Sequence, residues 1–373
     1  MPAKNNPSKK LYFIDKVALF FTLIAAVSIL LSLLASVVDP RTCWWLAFFG
    51  LAYSPLLIVN IIFCLYWLLR FNKLMFIPLI SILVGWPILV SSVNIRSSYP
   101  EGPKKSADYL RLMTYNVHSF KGVGPGDVKP TRTQILKLID DDQPDVICLP
   151  EFFSRKKGEF AMVDSLKKTL NTPYYFRFTV DDINYEGNGL AVFSKFPIIN
   201  KGIISFGDQN STNQCIFIDI KTAKRVVRVY AVHLQSIRFM PEDYQVIDSI
   251  SKAEESKLHS YRRILAKLKS AFLKRSEQVY LVKNHAATSP YPFIIAGDFN
   301  DTPASFAVNK MAKGLKNAFR EKGSGFCTTY NGDFPNFQID YILAHPDFNV
   351  INYKVFKKKL SDHYAIRADL LLK

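Results

Sequence analysis

Apolar and polar positions divide this chain into two unlike parts. Over the first quarter the apolar residues run almost without interruption, whereas from about Tyr109 they come in short runs separated by charges and turn residues. That contrast implies two different solvents. Charged residues are absent from Val17 to Val38, again from Thr42 to Leu69, and again from Leu74 to Val93. A helix as long as the first of these crosses the roughly 30 Å hydrocarbon core of a bilayer. The third stretch contains Pro78, Gly85 and Pro87, which a membrane helix tolerates better than a soluble one. We therefore expect an N-terminal membrane domain over residues 1–96 with three transmembrane helices, at about 17–38, 42–69 and 74–93. The competing reading of the first stretch is a cleaved signal peptide, with Lys4, Lys9 and Lys10 as its basic leader. Its length and the two apolar stretches that follow favour a span. Trp44, Trp45 and Trp67 stand near the ends of the second stretch, where amphipathic rings prefer the interface.

Three crossings would put the two ends of the chain on opposite sides. Lys4, Lys9, Lys10 and Lys16 flank one side, joined by Arg70 and Lys73, while the first loop offers only Arg41. The positive-inside rule then keeps the N terminus cytoplasmic and exports the C-terminal part. Arg96, Lys104, Lys105 and Arg111 pull the other way. The expected setting is an integral protein of a bacterial inner or plasma membrane, with its large domain extracytoplasmic. Residues 97–108, carrying Pro100, Gly102, Pro103 and two lysines, have the composition of a linker.

From Tyr109 to Lys373 the alternation predicts strands at Leu110 to Val117, Asp145 to Leu149, Gly189 to Phe193, Ile216 to Ile220, Val226 to His233, Phe293 to Ala296, Gln338 to Leu343 and Ala365 to Leu371. Thr131 to Asp140 reads as a helix with Thr131 as its N-cap and Pro144 beyond its end. A longer, basic helical stretch covers about Ser251 to Lys283. Many strands and few helices suggest an α/β layered sandwich rather than a doubly wound sheet.

Polar residues fall at the ends of these strands. Leu112-Met113-Thr114-Tyr115 runs into Asn116, Val146 to Pro150 into Glu151, and Val229 to Val232 into His233. Phe293 to Gly297 runs into Asp298-Phe299-Asn300; Asp340 lies in another strand pattern, and Ser361-Asp362-His363 immediately precedes the last. Each has an ordinary explanation alone: a turn asparagine, a core histidine, a loop carboxylate, an Asx-rich turn. Carboxylates, amides and imidazoles repeated at strand termini are how a rigid scaffold gathers one site from distant sequence.

Composition narrows the picture only a little. The 373 residues carry a formal net charge of +17, which favours anionic partners: nucleic acid, phosphorylated metabolites or the anionic face of a bilayer. Five cysteines without a CxxC pair argue against a disulfide framework and a thiolate zinc site.

Taken in order, Thr114-Tyr115-Asn116-Val117, Leu149-Pro150-Glu151, Gly189 to Ile198, Ala231-Val232-His233-Leu234, Gly297-Asp298-Phe299-Asn300-Asp301, Ile339-Asp340-Tyr341 and Ser361-Asp362-His363-Tyr364 make residues 109–373 resemble the endonuclease/exonuclease/phosphatase, or DNase-I-like, superfamily, here as a membrane-anchored bacterial-type member. The resemblance implies a four-layer αββα sandwich, two β-sheets face to face with helices outside, and hydrolysis of phosphoric esters with a divalent metal, Mg²⁺ or Mn²⁺. Glu151 is an oxygen donor suited to Mg²⁺, Asn116 would ligate or orient beside it, and Asp362 is a second candidate on the metal side. By resemblance, Asp298 orients or deprotonates the attacking water, Asn300 holds a phosphate oxygen, His363 pairs with Asp340, and His233 contacts the phosphate or protonates the leaving group. One departure stands out: some nuclease members have a carboxylate where this chain has His118.

The superfamily spans nucleases, inositol-phosphate phosphatases and sphingomyelinases, so the pattern implies a reaction but not a substrate. The stretch Lys252 to Lys283 has the charge a nuclease would want, yet few aromatic residues among it. The membrane segments instead favour a phosphomonoester, phosphodiester or pyrophosphate that is lipid-linked; a membrane-bound nuclease is the alternative. A non-catalytic binding domain would have lost some of the eight site positions, and none is missing.

Overall fold

A computed structural model of the chain describes residues 11–94, 106, 108–122, 128–180, 186–207, 211–240, 242–243, 246, 258–332 and 337–373. Most of the expected linker and residues 251–257 of the expected basic helix lie outside them.

The N-terminal unit consists of α1 (Phe13–Ala35), α2 (Leu46–Leu51), α3 (Tyr53–Leu69), α4 (Phe76–Val84) and α5 (Trp86–Ser92). Here the expectation of three membrane helices is corrected. Among the described residues, only α1 is by length and composition able to cross a bilayer, or two spans if the bent pair after Lys73 counts as one. The second apolar stretch is broken at Ala52, leaving 17 residues for α3. The third bends by 63° between Val84 and Trp86, where Gly85 ends one helix and Pro87 opens the next. Absence of charge sets how long an apolar run is; it does not say where its helix breaks. Asp15, near the start of α1, is tied to Arg70 at the end of α3 at 2.8 Å.

The rest of the chain is a layered sandwich. After the short β1 (Val93–Asn94) come β2 (Tyr109–Thr114), α6 (Val128–Asp142), β3 (Val146–Ser154), α7 (Met162–Thr169), β4 (Tyr174–Thr179) and β5 (Gly187–Ser194). They are followed by β6 (Ile198–Ile204), β7 (Cys215–Lys221), β8 (Val226–His233), α8 (Leu258–Ala287), β9 (Phe293–Asp298) and α9 (Phe306–Ala312). The chain closes with β10 (Lys316–Asn317), α10 (Ala318–Lys322), β11 (Gly325–Phe326), β12 (Asp340–Ala344), β13 (Phe348–Phe356) and β14 (Ala365–Leu372). α6 already runs from Val128, so Thr131 sits in its first turns and not at the cap.

Two six-stranded sheets result, ordered β13-β14-β2-β3-β5-β4 and β10-β12-β9-β8-β7-β6. Between them lies a core of inward-facing residues from both, among them Leu112, Cys148 and Val192 of the first and Ile218, Val229 and Ile294 of the second. The opposite face of the first sheet buries Ile147 and Phe193 under Ile135, Ile139 and Leu166 of α6 and α7. That of the second buries Tyr230, Ile295 and Leu343 under Val279, Val282 and Val308 of α8 and α9. Period-two alternation sends successive strand residues to these two sides, which explains why both faces of each sheet are apolar.

Each sheet contains one parallel pair, β2 with β3 and β8 with β9. Asn116 follows β2, Glu151 sits inside β3 at a bulge between Pro150 and Phe152, past the stretch paired with β2, and His233 and Asp298 close β8 and β9. In the second pair Val232 lies opposite Gly297 and His233 opposite Asp298.

Candidate active site

Asp298 is the hub. Burial pushes its carboxyl up to about 6, with His363 and His233 opposing and Asp340 assisting. Its Oδ1 accepts the Asn300 backbone N–H at 2.8 Å, and its Oδ2 accepts from the Asn116 side chain at 3.0 Å and the Asn300 side chain at 3.2 Å. Asn300 also donates to the Leu234 carbonyl. Both asparagines thus hold the carboxylate in one orientation.

Asn116 is engaged at both the oxygen and the nitrogen of its carboxamide. Its Oδ1 accepts from the His118 backbone N–H at 3.1 Å. Its Nδ2 donates to Glu151 Oε1 at 3.1 Å as well as to Asp298. Because a backbone N–H only donates, this assignment of O and N is fixed by chemistry. The Ser361 hydroxyl donates to the Asn116 carbonyl at 2.8 Å and so joins the last motif to the first.

Two imidazoles face Asp298 Oδ2 from either side. His363 Nδ1 lies 2.9 Å from Asp340 Oδ2 and its Nε2 3.7 Å from Asp298 Oδ2. Burial pulls the His363 pKa down, but Asp340 and Asp298 outweigh it and hold the ring well above the usual range, as a cation. Asp340 is itself positioned by Thr329, whose Oγ1 accepts the backbone N–H groups of Ile339 and Asp340. His233 Nδ1 donates to the Thr212 carbonyl at 3.2 Å. Its Nε2, 3.7 Å from Asp298 Oδ2 and 3.8 Å from Glu151 Oε1, is buried and has no hydrogen-bond partner. Separations of 3.7 to 3.8 Å are too long for hydrogen bonds.

Glu151 and Asp362 form the outer rim, each with about a quarter of its side chain exposed. Burial raises Glu151, yet its hydrogen bond to His118, the nearby His233 and the Asn116 amide bring it down to about 2. His118 Nδ1 stands between the two carboxylates, 3.5 Å from Glu151 Oε2 and 3.4 Å from Asp362 Oδ2. Those contacts raise the pKa of His118. Two carboxylates that share an imidazole at the mouth of a cavity are a donor set of hard oxygens suited to a small divalent metal. The tighter group of Asp298, Asp340 and His363 also has metal-like spacing. Its Asp340–His363 hydrogen bond already occupies Nδ1, which makes it a proton-holding pair in the first instance.

All eight predicted positions therefore meet at one end of the two sheets. Glu151, Asp298, Asn300, Asp362 and His363 line a cavity of about 260 Å³, together with His118; Asn116, His233 and Asp340 stand directly behind them. Sequence reasoning missed the supporting groups Thr212, Thr329 and Ser361, of which only Ser361 has a signal, its place beside Asp362. It also missed Arg275, buried in α8, whose Nε lies 2.9 Å from Asp301 Oδ2 and which braces the Asp298-to-Asp301 turn.

A family model described as the Endonuclease/Exonuclease/phosphatase family matches residues 113–363, from β2 to the His363 motif. The chain belongs to this family. A second model, described as a domain of unknown function, matches residues 15–92, which are the apolar N-terminal helices. No curated protein gives a significant match. Among solved structures, zebrafish (D. rerio) TDP2 humanized by 14 mutations aligns with a TM-score of 0.52 at 16% identity, over 71% of this chain and 99% of that one. The human Nocturnin catalytic domain with bound sulfate aligns at 0.51 and 18%, over 71% and 95%. An endonuclease/exonuclease/phosphatase from Bacteroides vulgatus aligns at 0.50 and 15%, over 71% and 99%. At these identities the family member shares their fold, and its chemistry rests on its own residues.

Proposed function

We propose that this member is a membrane-anchored, divalent-metal-dependent phosphoesterase. The observation that carries the reading is Asp298, a buried carboxylate poised near neutrality and oriented by two asparagines, with one imidazolium and one unpartnered imidazole nitrogen facing it. Phosphoryl transfer asks a protein mainly for positioning and charge stabilisation. Asp298 orients the attacking water and takes its proton as oxygen attacks phosphorus. His363, kept cationic by Asp340, faces the phosphoryl oxygens whose charge grows, and His233 Nε2 meets the phosphate from the other side. Asn300 holds Asp298 and borders the phosphate position. Glu151 and Asp362, with His118 between them, are the groups that would hold Mg²⁺ or Mn²⁺. Such an ion supplies Lewis-acid polarisation of a phosphoryl oxygen and steadies the leaving oxyanion. Asn116 orients Glu151 and Asp298 through its Nδ2, while the second lone pair of its Oδ1 could still ligate beside Glu151.

Part of the charge of α8 is answered within the protein, which weakens the nuclease alternative. Arg263 and Lys267 both pair with Asp243, Arg275 with Asp301, and Lys269 lies over the Trp44 ring. Membrane attachment is supported by α1 and by the apolar residues that α1, α3 and α4 turn outward, such as Phe20, Ile24, Ile62, Leu65 and Ile80.

The test is a hydrolysis panel of nucleic acids, inositol phosphates, phospholipids and polyprenyl pyrophosphates with Mg²⁺. Wild type should cleave at least one lipid phosphate or pyrophosphate, and EDTA should abolish the activity. Asp298→Ala should lower kcat/KM by roughly 10³-fold. Activity that survives the substitution removes the site assignment, and efficient cleavage of DNA alone reverses the substrate preference.

A further inference from the structure

The cavity over the catalytic cluster has two unlike walls. One is the polar constellation of Asp298, His363, Glu151 and Asp362; the other is mostly carbon, with Ser236, Arg238 and Arg275 set among it. Leu51 of α2, Ile237 and Phe239 of the segment after β8, and Phe272 of α8 line the same space. They belong to one apolar cluster that joins α2 to α8. Phe272 is buried, but Leu51, Ile237 and Phe239 are only half-buried. Apolar surface therefore stays open within a few side chains of an ionised site, although closing it would be favourable.

Leu51 is the telling member, because it comes from the N-terminal unit and not from the sandwich. Its helix is firmly docked. Phe48 meets Phe272 edge-on with ring centres 5.3 Å apart. At Gly50 a Cβ would stand only 3.0 Å from the Ala304 carbonyl oxygen, so the backbone of α2 lies against the loop that follows Asp301. The Ser276 hydroxyl donates to Asp39 at 2.7 Å. At the other end of the unit, β1 pairs with β11, and the Cys327 N–H donates to the Ser92 carbonyl at 3.2 Å. The carbon wall thus continues directly into helices whose outward residues are apolar.

We propose that this wall is the subsite for the hydrocarbon chain of a membrane-resident phosphoester. The chain lies along Leu51, Ile237 and Phe272 while its phosphate reaches Asp298 and His363. The inference rests on the phosphoesterase reading and adds the class of substrate and the residues that select it. A nucleotide base is the competing occupant; it would stack on Phe239 and take little from Leu51, which offers no flat face.

The experiment uses the full chain in nanodiscs of neutral lipid with Mg²⁺. The probes are alkyl p-nitrophenyl phosphodiesters from methyl to dodecyl and the matching alkyl monophosphates. Partition into the disc is common to all protein variants, so differences between them isolate the wall. Wild type should prefer the hexyl over the methyl ester by roughly tenfold or more in kcat/KM, since each buried methylene contributes a factor of up to about four. Leu51→Asn should cut that preference at least about fivefold, and Leu51→Met should retain it. If Leu51→Asn does not fold, Ile237→Asn is read in its place. An unchanged preference in these variants overturns the subsite while the phosphoesterase reading stands. So does faster cleavage of a nucleoside p-nitrophenyl phosphate than of the hexyl ester, lost in Phe239→Ala but kept in Leu51→Asn. Failure of wild type to cleave any ester removes the phosphoesterase reading first, and the subsite with it.

Discussion

Asp340 acts on two neighbours at once. Its negative charge raises the pKa of His363 and also that of Asp298. If Asp298 must be ionised and His363 charged, kcat/KM rises through about pH 6 as Asp298 loses its proton and falls as pH passes the elevated value of His363. Asp340→Asn removes the common cause, so both limbs of the pH profile should move to lower pH, the alkaline one by about a unit or more. A profile that loses height without shifting would leave Asp340 as a packing residue. At this scale much was readable in advance, because a polar residue closing an apolar run is conspicuous. What stayed hidden was the division of labour. That Asn116 ties Glu151 to Asp298, or that Thr212 and Thr329 aim the two imidazoles, depends on partners remote in sequence.

At the scale of elements, the β8–β9 parallel pair decides whether His233 and Asp298 meet. Gly297 has φ +148°, and any Cβ there would collide with the Val232 carbonyl of the neighbouring strand. Gly297→Ala should therefore destabilise the protein by about 3 kcal/mol or more. Gly314→Ala, with φ +81° but open space around it, should cost only about 1 kcal/mol. Denaturant unfolding of the two variants checks the difference, and equal losses would remove strand contact as the cause. The strands that pattern reading found are mostly those that carry site residues. It missed β4, β6 and β13, each at the edge of a sheet, where one side meets solvent and charges such as Arg177, Lys201 and Lys354 interrupt the alternation. The break at Ala52 was equally unreadable in a charge-free run, whereas Gly85 and Pro87 do mark the other in the sequence.

For the whole molecule, the ends of the helical unit are unlike. Lys16, Arg70 and Lys73 lie at the end of α1 and α3 that carries the Asp15–Arg70 pair, while Asp39, α2 and β1 lie against the sandwich. If α1 spans a membrane as proposed, the positive-inside rule would put the sandwich outside the cytoplasm. Protease added to sealed cells should then degrade the C-terminal domain, and digestion only after lysis would reverse the topology. The seam of β1 with β11 has a kinetic corollary. If the helical unit is anchored in a membrane as proposed, this seam, with the docking of α2, would hold the catalytic centre near one height over one leaflet. Turnover of a lipid substrate would then follow its mole fraction in that leaflet, indifferent to the volume of water outside. Once that leaflet was depleted, the rate would be set by how fast the other one supplied it.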